Sequence, residues 1–113
     1  LETRQVTYEA TLDLIHRQPD LKGIYVAGGG MEGAIAALRE VHEKPQVALV
    51  VNELTAESRS ALIDGYVVMA VSTPLAELCH KLVELMVSSQ SELSDNGPTQ
   101  YFLEPKIILS ELL

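Results

Sequence analysis

The chain has 113 residues, 47% of them hydrophobic, and a formal charge of −8 from 16 acidic against 8 basic side chains. That size suits one domain or one lobe of a two-lobed domain, hiding a little under about 70% of its unfolded surface. The negative field repels a polyphosphate and no Lys/Arg stripe is present to release counterions, so this segment is not expected to hold DNA itself; nor does any run approach the ~20 apolar residues that span a bilayer. One cysteine, Cys79, excludes an internal disulfide framework and fits a reducing cytoplasm.

From about Gln5 to Arg17 the apolar positions Tyr8, Leu12 and Ile15 predict a helix, ended by Pro19-Asp20. Gly23 to Ala27 is a short run of β-formers that stops at Gly28-Gly29-Gly30, after which Met31, Ala34, Ile35, Leu38 and Val41 mark one face of a second helix. Val47 to Val51 reads as a strand buried on both faces, and Thr55 caps a short helix that ends at Gly65. Tyr66 to Val71 is a third strand, and Thr73-Pro74 starts the longest helix, with the stripe Leu75, Leu78, Cys79, Leu82 and Met86. That helix dissolves into a polar linker from Ser88 to Pro98, and Ile107-Ile108-Leu109 follows as a last strand.

Strands alternating with helices imply a mainly parallel sheet with right-handed crossovers, a partial three-layer α/β/α lobe. The helix comes first, however, so at least one strand is expected to be missing before it. The sheet would then expose an apolar edge, to be covered by residues outside the chain or by a neighbouring copy. The absence of an initiator Met and the early helical pattern lead us to expect further residues upstream of Leu1.

In open parallel sheets a ligand lies beyond the carboxyl ends of the strands. Three loops qualify: Gly28-Gly29-Gly30, Asn52-Glu53-Leu54 and Ser72-Thr73. An amide, a carboxylate, a hydroxyl and exposed backbone amides suit a neutral polyhydroxylated ligand, whose hydroxyls both donate and accept hydrogen bonds. The candidate ligand-binding residues are therefore Gly28, Gly29, Asn52, Glu53 and Ser72. The plainer readings are that the glycines make a tight turn needing positive φ, and that the polar residues are solvated or cap the next turn.

Gly28 to Gly33 also satisfies G-x-G-x-x-G between strand and helix, with Glu53 about twenty residues on, the spacing of a dinucleotide fingerprint. Against that, Glu32 puts negative charge where a pyrophosphate would sit, and a full helix precedes the motif's strand. His16, His42 and His80 show no metal-ligand spacing, and the first two suit the last turns of their helices. Cys79 reads as a small core residue, and no serine sits in a nucleophile elbow. We expect no catalytic residues, no metal and no cofactor.

Leu14 to Ala27, Met31 to Leu38, Ala61 to Gly65 and Ala70 to Leu75, in that order and spacing, resemble the C-terminal portion of lactose-repressor-like (LacI-family) transcription regulators and their relatives, the type I periplasmic sugar-binding proteins. The resemblance covers nearly the whole chain. It implies a two-lobed domain closing on a sugar, with residues 1–72 in the C-terminal lobe, 73–97 a helix and linker crossing to the other lobe, and 98–113 a returning strand. It implies that the acidic ligand contact ending the second strand is Glu53 or, with a one-residue slip, Asn52. Ser72 matches the polar residue before the proline. Relatives often carry Asn or Asp where this chain has Gly28 and Gly29, a departure that suggests an unusual ligand. Glu2-Thr3 would fall at the rim of the same cleft.

For a regulator the resemblance further implies DNA binding through a helix-turn-helix segment not in this chain. It also implies a homodimer formed partly by the helix after the glycine loop and the short helix near Ser58 to Ile63, with Ala34, Ala36 and Ala37 permitting close approach. The leading expectation is a cytoplasmic effector sensor of a transcription regulator. A periplasmic sugar-binding receptor of an ABC transporter is the alternative, and an NAD(P)-binding enzyme fragment the third.

Overall fold

A computed structural model describes residues 3–91 and 100–113. They form two compact units, Leu1–Ser72 with Ile107–Leu113, and Thr73–Lys106. In the first, α1 (Arg4–Arg17), β1 (Gly23–Val26), α2 (Met31–Val41), β2 (Ala48–Asn52), α3 (Ala56–Asp64) and β3 (Val67–Ser72) follow in turn. The second holds α4 (Leu75–Ser91); β4 (Lys106–Ile108) and a 3-10 turn at Ser110–Leu112 complete the chain.

The sheet order is β1-β2-β3-β4, with β1, β2 and β3 parallel. The α/β class and mainly parallel sheet expected from the alternating pattern are what the chain adopts. Strands added in sequence order with right-handed crossovers put successive helices on one face of the sheet, and the core lies there. Leu49, Val51, Val67 and Ala70 meet Ile15, Met31, Ala34, Ile35, Leu38, Ala61 and Leu62 in one cluster.

This one-sidedness corrects the reading of β2 as buried on both faces. Leu49 and Val51 are buried, but Ala48 is exposed and Val50 half-buried. Tyr25 on the same side is 58% exposed. A continuous apolar run announces that both faces need cover, but the helices of this unit lie on one of them. The pairing of β2 with β3 also slips between Leu49 and Val50, from Leu49 opposite Val67 to Val50 opposite Met69. Val68 is the extra residue of this bulge and is exposed.

Local chemistry fixes the helix ends. The Thr3 hydroxyl accepts from the Val6 N–H at 3.2 Å, and Thr55 with Ser58 forms a reciprocal capping box on α3, which Gly65 closes. Gly30, at φ 81°, occupies the cap of α2, and a Cβ there would sit 2.8 Å from the Thr3 carbonyl oxygen and against the Thr7 side chain. A Cβ on Gly33 would lie 2.7 Å from the Tyr8 nitrogen and closer still to the Arg4 carbonyl, so the first turns of α1 and α2 touch backbone to backbone. The Tyr8 hydroxyl donates to the Glu40 carboxylate; that bond first, then desolvation, raises the phenol above its ordinary pKa. Tyr66 spans the base of α2, donating to the carbonyls of His42 (2.7 Å) and Glu43 (2.9 Å) beneath the Arg39 guanidinium, 5.0 Å from the ring centre.

In the sheet of the described residues β1 is an edge strand. Between that edge and α1 runs a groove of about 300 Å³, lined by Val6, Ala10, Leu14 and Ile24 among others. In the second unit α4 runs through Ser91, past the expected end at Ser88; the rest of the polar stretch to Pro98 lies outside the described residues. Cys79 is exposed rather than a core residue, because the stripe it shares with Leu78, Leu82 and Met86 is itself exposed. Lys81 lies 4.5 Å from the centre of the Tyr101 ring in the same unit.

Candidate functional site

The three polar loops lie at one end of the sheet, joined by side-chain hydrogen bonds that run from β1 to β2 and from β2 to β3. Asn52 ends β2, and its amide reaches across to the exit of β1: Nδ2 donates to the Ala27 carbonyl at 2.6 Å, and Oδ1 accepts from the Tyr25 hydroxyl at 2.9 Å. Glu53 follows. Its N–H donates to the Val71 carbonyl at 2.8 Å, and its Oε1 accepts from the Ser72 hydroxyl at 3.3 Å. Gly28 and Gly29 directly follow Ala27, so the amide of Asn52 holds the start of the glycine loop. All of these groups belong to the first unit.

Two observations separate the roles of Asn52 and Glu53. Asn52 is half-buried and spends an acceptor and a donor site on the protein, one of them on a main-chain carbonyl, which is the behaviour of a clamp. Glu53 is exposed and stands at φ 72°, a left-handed conformation that a side chain with a Cβ adopts only at a cost. Such conformations persist where the surroundings over-determine them, and they cluster at ligand sites.

The sequence reading missed two residues. By its sequence Tyr25 is a strand residue alone, and its hydroxyl comes within reach of Asn52 because β1 and β2 pair with Tyr25 opposite Val50, two places before Asn52. Ser58, by its sequence one residue of a short helix, is fully buried, and its hydroxyl donates to the Glu53 carbonyl at 3.0 Å. An S/T-x-x-S pattern at Thr55 to Ser58 was the one available signal. Thr3 lies beside the glycine loop through its carbonyl contact with Gly30, and Glu2 is outside the described residues.

The glycine loop has its plain explanation at one of its three positions, Gly30, where positive φ and close approach both exclude a side chain. That packing also bears on the dinucleotide alternative. The Thr3 carbonyl and the Thr7 hydroxyl are two oxygens crowded against the cap of α2, where a pyrophosphate would need bare N–H groups. Among the described residues no three His, Cys, Asp or Glu side chains are placed to hold a metal ion.

A larger concavity, about 410 Å³, lies between the outer faces of α2 and α3, lined by residues such as Arg4, Glu32, Ile35, Arg39, Ser60 and Asp64. None of the five candidate residues lines it. Its polar groups are partly satisfied within the protein, Arg39 pairing with Asp64 at 2.9 Å. The strand-end rim gathers all five candidate residues and this concavity none of them. Ala34 and Ala37 are fully buried in the core, which corrects the expectation that they line a helix contact on this outer face; Ala36 does line it.

No protein-family model matches the sequence, and no curated protein matches it. Solved structures do. A glucose-galactose binding protein from Geobacillus stearothermophilus (GanP) superposes with a TM-score of 0.84 at 18% identity, over 96% of this chain and 39% of that one. The fold is periplasmic-binding-protein-like. A periplasmic ribose ABC transporter protein from Conexibacter woesei gives 0.82 at 19% identity, over 98% and 38%. An ABC transporter solute-binding protein from Agrobacterium vitis, bound with α-D-tagatopyranose, gives 0.83 at 14% identity, over 97% and 37%. The chain thus spans about two fifths of the length of each of these proteins, and at these identities the likeness is one of fold.

Proposed function

We propose that this chain forms one wall of a sugar-binding cleft, with Glu53 accepting hydrogen bonds from ligand hydroxyls, Ser72 beside it, the main chain of Gly28 and Gly29 facing the ligand, and Asn52 holding the glycine loop in place. The observation that carries the reading is the convergence of the three strand-end loops through the Asn52–Ala27 and Ser72–Glu53 hydrogen bonds. Sugar ligands named for proteins of this fold, such as D-fucose and α-D-tagatopyranose, support the ligand class. No chemistry on the ligand is part of the proposal.

The finer reading is effector sensing in a LacI-family transcription regulator in the cytoplasm. Closure on the sugar would alter DNA affinity through a helix-turn-helix segment outside this chain, a coupling of about 1–3 kcal/mol in typical cases. In this arrangement residues 1–72 belong to the C-terminal lobe, 73–97 cross to a second lobe and 98–113 return. The outer faces of α2 and α3, with Ile63 exposed beside them, would meet a second copy in a homodimer. The alternative is a receptor of an ABC transporter, the setting named for the Conexibacter and Agrobacterium proteins of this fold.

Calorimetric titration with D-galactose, D-glucose and D-ribose tests the binding claim. We expect at least one to bind and Glu53→Ala to weaken it about tenfold or more, as loss of a hydrogen bond to a charged group does. No binding by any of the three, or full affinity in Glu53→Ala, contradicts the assignment. Operator binding by the full-length protein, with and without the sugar that binds, separates regulator from receptor.

A further inference from the structure

Glu53 holds a left-handed backbone in an exposed position, and something must keep it there. Its N–H is fixed by β3 through Val71, its carboxylate accepts from the Ser72 hydroxyl, and its carbonyl accepts from the first turn of α3. That contact is the Ser58 side chain, with no exposure to solvent, whose Oγ lies 3.0 Å from the carbonyl oxygen.

The Ser58 hydroxyl makes two short hydrogen bonds, beside longer contacts of 3.4 Å with the Thr55 hydroxyl and carbonyl. It accepts from the Thr55 N–H at 2.8 Å, closing the capping box of α3. It has a single proton to give, and the Glu53 carbonyl at 3.0 Å is nearer than the Thr55 carbonyl at 3.4 Å. A glutamate, the usual residue at this capping-box position, would close the box as an acceptor but would have no proton for Glu53. Capping α3 therefore accounts for one of the two short bonds and leaves the second, the one to the strained turn, as a separate property of serine.

We propose that Ser58 is a positioning residue for the sugar site: its buried hydroxyl holds the Glu53 turn in the left-handed conformation that presents the carboxylate beside Ser72. The inference rests on the reading of Glu53 as a ligand contact. It makes the first turn of α3, which lines no part of the rim, a determinant of affinity.

The test follows residue 53 by NMR in the full chain, because a positive φ brings a residue's amide and α protons close and gives an intense intraresidue NOE. We expect that NOE to be strong in the wild-type protein and to fall to the ordinary level in Ser58→Ala. Among D-galactose, D-glucose and D-ribose, any sugar that binds the wild type should bind Ser58→Ala about tenfold more weakly, the loss expected when an anchored charged group is freed. A strong NOE at Glu53 in Ser58→Ala overturns the proposal. Absence of sugar binding by the wild type overturns the ligand reading instead, and the NOE comparison still decides what Ser58 does.

Should Ser58→Ala fail to fold, the Glu53→Gly background decides. Glycine takes positive φ without penalty, so Glu53→Gly should melt higher than the wild type, and adding Ser58→Ala there should give a folded chain. A Glu53→Gly protein that melts lower than the wild type, or a double variant that also fails to fold, overturns the proposal.

Discussion

In α2 the apolar positions Met31, Ala34, Ile35 and Leu38 are all buried, Leu38 at 1% exposure, whereas in α4 Leu78, Leu82 and Met86 lie at helical spacing and are exposed, Leu82 at 55%. The two helices carry the same kind of stripe. What differs is the chain around them: α2 is the crossover between β1 and β2 and lies on the sheet those strands build, while the described residues of α4's own unit offer no such sheet. An apolar stripe thus records that a helix needs cover, not that the cover lies within the same segment.

The largest effect that sharpens this comparison is the pair Leu38→Ala and Leu82→Ala. The first removes a fully packed core side chain and should destabilise the chain by about 2–5 kcal/mol in urea denaturation. The second should change stability by no more than about 0.5 kcal/mol, the range of an exposed site. If Leu82→Ala costs as much as Leu38→Ala, the stripe of α4 is covered in solution, and the contrast between the helices disappears.

A smaller effect tests what seats α2 so firmly. Gly33→Ala would place a methyl group against the backbone of Arg4 and Tyr8, and the two helices would have to separate. We expect a loss of about 1–3 kcal/mol, the usual range for overpacking, in spite of alanine's better helix propensity. A neutral or stabilising result would mean that α1 does not press on α2 as described.

The parts of the fold that were legible in the sequence are those written in local chemistry. Pro19-Asp20, the triglycine turn, Thr55, Gly65 and Thr73-Pro74 punctuate the chain, and each element lies within a residue or so of its expected place, save the later end of α4. What was not legible depends on distance across the sheet. The bulge at Val68, the open outer face at Tyr25 and Val50, and the exposure of Cys79 follow from which segments happen to cover which surfaces, which periodicity does not encode.

The site divides in the same way. The rule that ligands sit beyond the carboxyl ends of parallel strands brings Gly28, Gly29, Asn52, Glu53 and Ser72 together, and in the fold they lie at one rim. The rule was silent on the division between Asn52 and Glu53, because one amide turned towards Ala27 and one backbone angle at Glu53 are three-dimensional facts. Ser58 was hidden for the same reason: its hydroxyl looks like an ordinary cap until the Glu53 carbonyl arrives beside it.

The most direct measurement of the central claim is amide chemical-shift mapping on the full chain as D-galactose, D-glucose or D-ribose is added. The account predicts that the shifting amides are those of Gly28, Gly29, Asn52, Glu53 and Ser72, with Ile35, Ala36 and Ser60 in the α2–α3 concavity unmoved. Shifts centred on that concavity, with the strand-end rim silent, would contradict it.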